Sequence, residues 1–179
     1  VLDTLLRDHT TGKNIFWATH DYEALGSEYD YHSEILPKLI TGEHGMVIRS
    51  RVLKSKENQT DRSKDMAEVV TPSWICNAQN NLVDEALPND MTWQDYVRQT
   101  CLEITCGEAP YLVSRYDAAT GEQIPLEKRI GLLDRKLRLV NDKTETKEEW
   151  LEWTKIAYQN TDGYEWQGDN LLIARKALL

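Results

Sequence analysis

The stretch from Cys101 to Val113 constrains the fold of this 179-residue chain more than any other segment. Residues 101–105 are apolar or β-branched except for one carboxylate at Glu103, a composition typical of a short buried strand. Gly107 and Ala109 then provide small residues for a tight turn, and the apolar residues that follow begin a helix. Ligands of open α/β sheets bind at the carboxyl ends of strands, where such turns lie. We therefore expect a ligand site here, with a buried strand and an ordinary glycine turn as the structural alternative.

Two patterns that hold pyrophosphate or triphosphate groups are absent from the chain. Dinucleotide sites use G-x-G-x-x-G and phosphate-binding loops use G-x-x-x-x-G-K-[ST], and neither occurs in this sequence. The turn therefore predicts a cofactor without a pyrophosphate. Glu103, near the end of the strand, is placed to accept hydrogen bonds from an ammonium or hydroxyl group. Gly107 tolerates a positive φ, which lets a ligand approach the backbone closely.

The composition indicates a cytoplasmic protein. The three cysteines include no C-x-x-C pair and have no histidine at zinc-ligand spacing, so we expect reduced thiols and no metal site. Cys106 is expected to be a small buried residue, with a catalytic nucleophile as the alternative. No run of 18 apolar residues is present, so no membrane span is predicted.

A basic strip interrupts a chain whose net charge is −9. The overall charge argues against general adhesion to nucleic acid, but residues 49–64 hold six basic against two acidic residues, a local balance of +4. Such a strip can follow a phosphate backbone, and a solvated flexible loop is the alternative. The predicted DNA-binding residues are Arg49, Arg51, Lys54, Lys56, Arg62 and Lys64.

Three helix starts and two further strands are predicted around the central turn. Thr71 is expected to cap a helix with Pro72 at its first position, and capping boxes are expected at Thr92 and Thr146. Residues 130–134 are an apolar run that ends in Asp134, predicted as a second strand, and residues 164–167 are predicted as a third. Strands that alternate with helices after residue 100 predict a parallel, right-handed α/β sheet.

Two of these segments resemble motifs of S-adenosylmethionine-dependent DNA N6-adenine methyltransferases of restriction–modification systems. Residues 103–109 resemble motif I, written Asp-Pro-x-Cys-Gly-x-Gly-x-Phe-Leu, with Glu103 for Asp, Ile104 for Pro and Ala109 for the last Gly. Thr71-Pro72 resembles the Phe/Tyr-Thr-Pro element, with valine in the aromatic position. The order, Thr-Pro before Cys-Gly, resembles the γ arrangement of this family.

Two later aspartates resemble further cofactor contacts of the family. Asp134 resembles the acidic residue that accepts hydrogen bonds from ribose hydroxyls, with a helix cap as the alternative or additional role. Gly168-Asp169 resembles motif III, whose aspartate edge contacts the adenine amino group. The implied S-adenosylmethionine site consists of Thr71, Pro72, Glu103, Cys106, Gly107, Ala109, Asp134, Asp169 and Asn170.

The resemblance implies a partial Rossmann-like class I methyltransferase sheet, with parallel strands and flanking helices, preceded by a mixed N-terminal segment. Residues 1–66 are that segment with its basic loop, and residues 67–179 are the methyltransferase-like cofactor-binding domain. The family also carries Asp/Asn-Pro-Pro-Tyr/Phe, which holds the flipped adenine. No Pro-Pro occurs here, so this element lies beyond residue 179 or has been lost. No catalytic residue is expected in this span, and the chain alone is expected to be inactive.

The implied function is the S-adenosylmethionine-binding part of an adenine-specific DNA methyltransferase, with DNA and restriction or specificity subunits as partners. The alternative is a non-catalytic methyltransferase-like scaffold or DNA-binding module in a restriction or defence complex, acting through the basic strip. A small-molecule methyltransferase is a third interpretation, and the Thr-Pro element argues against it.

Overall fold

The computed structural model describes residues 1–54, 56–65 and 69–179 and divides the chain into two compact units. Unit 1 comprises Val1–Glu68 and Glu165–Leu179, and unit 2 comprises Val69–Tyr164. The predicted boundary between residues 66 and 67 lies outside the described residues. The predicted domain 67–179 does not form one unit, because its C-terminal segment folds into unit 1.

The described residues form seven α-helices and two β-strands, joined by loops and short 3-10 turns. In chain order these elements are α1 (Leu2–Leu6), α2 (Lys56–Asp65), α3 (Ser73–Glu85), α4 (Trp93–Arg98), β1 (Cys101–Ile104), α5 (Leu132–Lys143), α6 (Lys147–Gln159), β2 (Thr161–Tyr164) and α7 (Gly168–Ala177). Among the described residues, no helix has both the length and the apolar character that a membrane crossing requires.

Unit 2 contains a two-stranded parallel sheet in which Cys101 lies opposite Thr161 and Ile104 opposite Tyr164. Parallel neighbours need a crossover connection, and this one carries α5 and α6. The predicted mixed α/β class with parallel strands is confirmed at this level. The predicted strand at 164–167 is displaced towards the N-terminus, because β2 already ends at Tyr164.

The predicted strand at residues 130–134 is wrong, because α5 begins at Leu132. A short apolar run does not by itself distinguish a strand from a buried helical turn. Here Leu133, Lys136 and Val140 are the buried positions of α5, and their spacing of three and four residues is that of one helical face. The segment is therefore helical because the tertiary structure buries that face.

Two of the three helix starts predicted from capping residues are confirmed. The helix expected directly after Ala109 is wrong, because the structure has only a short 3-10 turn and no α-helix between Ile104 and Leu132. Thr92 Oγ1 accepts a hydrogen bond from the Asp95 N–H at 3.1 Å, and Thr146 Oγ1 accepts one from the Glu149 N–H at 3.2 Å. The predicted cap at Thr71 is wrong: α3 begins at Ser73, after Pro72, and no side chain of the cap residue bonds its first turn.

The core of unit 1 is built mainly from its N-terminal segment. Trp17 is fully buried and packs between Tyr22 and Tyr29, with ring centroids 4.7 and 5.2 Å away. Leu172 brings α7 into the same cluster. The backbone at Gly168 approaches so closely that an added Cβ would lie 1.8 Å from the Phe16 carbonyl oxygen. This contact explains why the C-terminal segment belongs to unit 1.

Candidate functional site

The turn after β1 has an unusual backbone. Thr105, Gly107 and Ala109 have φ values of 52°, 56° and 59°, a left-handed conformation that glycine adopts freely and that costs other residues on the order of 1 kcal/mol or more. Cys106 extends the strand pairing, since its N–H donates to the Tyr164 carbonyl at 2.8 Å. Such strained turns are concentrated at ligand-binding sites. The expected positive φ at Gly107 is confirmed.

Cys106 is a packing residue in this turn. It is 4% exposed, and its Sγ lies only 3.1 Å from the position that a Cβ on Gly163 would occupy. The backbone of β2 therefore runs directly against the thiol. This burial favours the structural interpretation of Cys106 over a nucleophile, because a nucleophilic thiol needs access to its substrate.

The segment that carries Thr71 lies next to the residues that follow this turn. The Cys76 thiol of α3 is 3.6 Å from the Thr71 carbonyl oxygen. Burial raises the pKa of Tyr111, and a hydrogen bond with the Thr71 side chain opposes that rise. Asn80 Nδ2 donates to the Tyr111 carbonyl at 3.0 Å and ties α3 to the same segment.

Glu103 belongs to the same neighbourhood. It is half-buried on β1. Burial, followed by the negative charge of Glu103, raises the pKa of the Cys76 thiol to about 11. The same charge contributes to the raised pKa of Tyr111, after burial and closer hydrogen bonds. Glu103, Thr71 and the strained turn, which were predicted cofactor contacts, therefore all belong to unit 2.

Asp134 serves as a helix cap, the alternative role that the sequence analysis allowed. Its Oδ2 accepts hydrogen bonds from the N–H of Ser114 at 2.8 Å, the hydroxyl of Ser114 at 3.1 Å and the N–H of Gly131 at 3.2 Å. A single carboxylate oxygen therefore fixes the start of α5 against the segment that follows the turn. Asp134 lies in the first turn of α5 and not at the end of a strand. The predicted ribose contact, which was inferred from a strand end, is therefore corrected.

Asp169 and Asn170 do not belong to the unit that carries the turn. Both are buried in unit 1, with Asp169 fully so. Asp169 Oδ2 accepts hydrogen bonds from Tyr22 Oη at 2.8 Å, Lys54 Nζ at 2.9 Å and Arg62 Nη1 at 3.1 Å. The predicted role of Asp169 in binding adenine is therefore corrected, because its carboxylate is enclosed by partners within unit 1.

Opposing influences act on the Asp169 carboxyl. Burial raises its pKa, but the positive charges of Lys54 and Arg62 outweigh burial and hold the pKa below its ordinary value of 3.8. The same carboxylate, after burial itself, raises the pKa of the Tyr22 phenol. Removal of one partner from such a buried group of charges leaves an uncompensated charge, which typically costs about 3–5 kcal/mol.

The basic strip is only partly a surface feature. Arg62 is 2% exposed and also bonds the Asp21 carboxylate and the Gln167 side chain. Arg51 Nη2 donates to Ser63 Oγ at 2.7 Å. The predicted DNA-binding role of Lys54 and Arg62 is corrected, because both serve the interior of unit 1. The exposed members of the strip are Arg49, Lys56 and Lys64.

Part of the basic strip is helical, although a flexible loop was expected. Residues 55–65 were expected to be flexible without a partner, yet Lys56–Asp65 forms α2. The helix has almost no apolar residues, so its tertiary anchor is the buried Arg62. The expected flexibility is therefore wrong for Lys56–Asp65, because Arg62 binds Asp21, Gln167 and Asp169.

Asp117 makes a helix-capping contact that was not predicted from the sequence. Its Oδ2 accepts from the Ser73 N–H at 2.7 Å, and its Oδ1 accepts from the N–H groups of Ala119 at 2.9 Å and Thr120 at 2.8 Å. Asp117 therefore caps α3 from a turn 44 residues later in the chain. An aspartate that opens a turn is recognisable in the sequence, but its second role depends on the tertiary structure.

Within the described part of the chain, no three or more histidine, cysteine, aspartate or glutamate residues are grouped so that they could hold a metal ion. In comparisons with known proteins, no family model, no curated protein and no solved structure matches this chain.

Proposed function

We propose that this chain is the S-adenosylmethionine-binding part of a DNA adenine-N6 methyltransferase of a restriction–modification system. The observation that carries the proposal is the strained turn after β1, where Gly107 and Ala109 both have positive φ. Motif I of this family has glycine at both corresponding positions. Ala109 therefore keeps a glycine-type conformation at the position where it departs from the motif.

The neighbourhood of Thr71 gives the proposal a second support. In the resembled family the Thr-Pro element closes over the methionine end of the cofactor, next to motif I. In unit 2 the helix α3 that follows Thr71 contacts Tyr111, which lies two residues after Ala109: Asn80 Nδ2 donates to the Tyr111 carbonyl at 3.0 Å, and Tyr111 Oη donates to the Gln79 side chain. Two motifs 30 or more residues apart in the sequence thus lie near each other, as a shared ligand would require.

The roles that we propose follow from the chemistry of the cofactor. Glu103 accepts hydrogen bonds from an ammonium or hydroxyl group, and Gly107 lets the ligand approach the backbone. The cofactor supplies an electrophilic methyl group when bound. Asp134 and Asp169 are left out of the revised site, because their contacts serve helix capping and the interior of unit 1. Asn170 is left out because it is buried in unit 1. We also propose that β1 and β2 belong to a Rossmann-like sheet.

Calorimetric titration with S-adenosylmethionine tests the proposal. We expect weak saturable binding by the whole chain, and Glu103→Gln should weaken it about tenfold or more, since a hydrogen bond to a charged group contributes about 1.5–3 kcal/mol. Glu85→Gln, at an exposed carboxylate of α3, is the matched control and should bind like the wild type. Absence of binding by folded wild type at millimolar cofactor would contradict the proposal.

The scaffold interpretation predicts a different outcome in the same sample. It requires DNA binding through the exposed cations Arg49, Lys56 and Lys64 and no heat of cofactor binding. Methyl-transfer assays with labelled cofactor and mixed-sequence duplex DNA add a further check. We expect no turnover by this chain alone, because no Pro-Pro-aromatic element is present to hold the flipped base.

A further inference from the structure

A cleft in unit 2 lies among α3, α4, α5 and the segment that precedes α5. Its volume is about 510 Å³, which lies within the range of small-molecule sites. Its lining includes three arginines and two aspartates, a balance of +1 in a chain whose net charge is −9. None of the predicted cofactor contacts lines it. The cleft is therefore a separate feature that the proposed function does not use.

Arg135 organises the floor of the cleft. Its Nε donates to the Ile130 carbonyl at 3.1 Å, and its Nη2 donates to the side-chain oxygens of Asn77 at 2.9 Å and Asn81 at 2.8 Å. A guanidinium group can only donate hydrogen bonds, so both amide oxygens must face it. The amide nitrogens of Asn77 and Asn81 consequently remain as donors.

The carboxylate nearest to Arg135 is already occupied. Asp84 accepts a hydrogen bond from Tyr96 Oη at 2.9 Å through Oδ1 and binds Arg135 Nη1 through Oδ2. Asp84 therefore neutralises Arg135, and its acceptor atoms serve partners within the lining. The other aspartate of the cleft, Asp142, lies in an exposed position on α5.

Two further arginines supply the excess of donors. Arg129 Nε is buried and meets no hydrogen-bond acceptor among the residues that the structure describes. Arg138 directs Nη2 to the Arg129 carbonyl oxygen at 2.7 Å, and it brings a second guanidinium to the same wall. A buried donor without an acceptor is costly, so this wall is complementary to a ligand that brings acceptor oxygens.

We propose that this cleft binds a small phosphomonoester, with the phosphate held by Arg129 and Arg138. Guanidinium groups bind oxyanions through paired, charge-assisted hydrogen bonds. The donors of Asn77 and Asn81 lie on α3, apart from the two arginines. A phosphate group has three acceptor oxygens that point in different directions, whereas the two oxygens of a carboxylate lie in one plane. The remaining volume accommodates the organic part of the ligand.

Titration of the whole chain with inorganic phosphate, ribose 5-phosphate and ribose, followed by NMR at constant ionic strength, tests this proposal. S-adenosylmethionine contains no phosphate, so binding that requires the phosphate group is distinguishable from binding at the proposed cofactor site. We expect saturable binding of inorganic phosphate and of ribose 5-phosphate, with dissociation constants in the millimolar range. Ribose 5-phosphate should bind at least as tightly as inorganic phosphate. Arg129→Met should weaken binding at least about tenfold.

Lys128→Met is the matched control, because it removes the same charge from an exposed neighbour that does not line the cleft. Its affinity for phosphate should stay within about twofold of the wild type. Arg138→Met, at an exposed position, provides a second variant should Arg129→Met fail to fold, and it should also weaken binding. Three results would each overturn the proposal: no saturable binding by wild type, an equal loss in Lys128→Met, or equal affinity for ribose and ribose 5-phosphate.

Discussion

At the scale of single residues, three aspartates serve as acceptors for the chain's own backbone and side chains. Asp117 and Asp134 each collect three hydrogen bonds from nearby segments, and Asp169 binds a tyrosine and two cations. A carboxylate can accept several hydrogen bonds and is expensive to bury without them. Aspartates next to predicted strand ends are therefore ambiguous, because a cofactor and a helix terminus satisfy them equally well.

Asp117 makes stability depend on pH. Burial raises the pKa of its carboxyl, but hydrogen bonds from Ser73, Thr120 and Ala119 outweigh burial and hold the pKa at about 2. A folded-state pKa below the unfolded value stabilises the protein above the unfolded pKa, and this contribution is lost as the pH falls from about 4 to about 2. After allowance for solvent screening, we expect Asp117→Asn to cost about 1–2 kcal/mol at pH 7.

Urea denaturation of wild type and Asp117→Asn at several pH values measures this effect. The difference in free energy of unfolding should shrink as the pH falls through that window. Asp90→Asn, at an exposed aspartate, should leave stability unchanged within about 0.5 kcal/mol. A difference that persists undiminished at pH 2 would mean that Asp117 acts through packing and not through its charge.

Gly131 tests how closely the chain packs at the start of α5. An added Cβ would lie 2.3 Å from the Leu112 carbonyl oxygen, so the backbone would have to move. Gly107→Ala is the comparison, because there an added Cβ meets nothing within 4 Å and only the positive φ opposes it. We expect Gly131→Ala to cost about 2–3 kcal/mol and Gly107→Ala about 1 kcal/mol in urea denaturation. The reverse order would refute the close contact at Gly131.

At the scale of elements, the parallel strands depend on a helix for their alignment. Lys136 of α5 is 1% exposed, and its ammonium group donates to the Asn160 carbonyl at 2.8 Å and to the Gln99 carbonyl. These carbonyls precede β2 and β1, respectively. Burial lowers the pKa of Lys136, and the two carbonyls compensate part of that cost. One side chain thus fixes both strands at their amino ends.

Lys136→Met should therefore destabilise unit 2 by about 2–3 kcal/mol, because the carbonyl oxygens of Gln99 and Asn160 lose a charged donor. Lys143→Met, an exposed position in the last turn of the same helix, is the control and should change stability by no more than about 0.5 kcal/mol. Thermal or urea denaturation provides the measurement. Equal stability of Lys136→Met and wild type would show that packing alone aligns the strands.

At the scale of the whole molecule, the distribution of positive charge limits any contact with DNA. The strip was predicted from six cations, but Lys54 and Arg62 are buried in unit 1 and Arg51 is half-buried. The exposed members of the strip are Arg49, Lys56 and Lys64. Lys54 and Arg62 pair with the carboxylate of Asp169. These two cations are therefore not available to bind DNA phosphates.

Binding to DNA, where it occurs through this strip, should consequently depend only moderately on salt. Three phosphate contacts predict a slope of about −2.7 in a plot of log affinity against log salt concentration, at about −0.9 per contact. Fluorescence anisotropy with a mixed-sequence duplex measures it, and the double variant Lys56→Glu, Lys64→Glu should reduce the slope. Lys13→Glu, at an exposed lysine outside the strip, is the control. A wild-type slope of about −5 or steeper would show that other cations take part.

Local sequence alone determined several parts of this protein. The capping boxes at Thr92 and Thr146, the strand at 101–104 and the glycine turn after it depend on neighbours within a few residues, and the structure confirms them. The expected burial of that strand is wrong, because Leu102 and Ile104 are exposed. Short-range hydrogen bonds and backbone preferences act in the unfolded chain as well as in the folded one. For this reason a single sequence is sufficient to predict them.

Tertiary structure alone decided the roles of the charged residues and the state of one apolar run. Residues 132–134 became helical because one face of α5 could be buried, and Asp117 became a cap for a helix 44 residues away. Asp169 became the partner of Lys54 and Arg62 through contacts more than 100 residues apart in the sequence. A charge must find a partner once it is removed from water, and which partner it finds depends on distances that exist only in the folded chain.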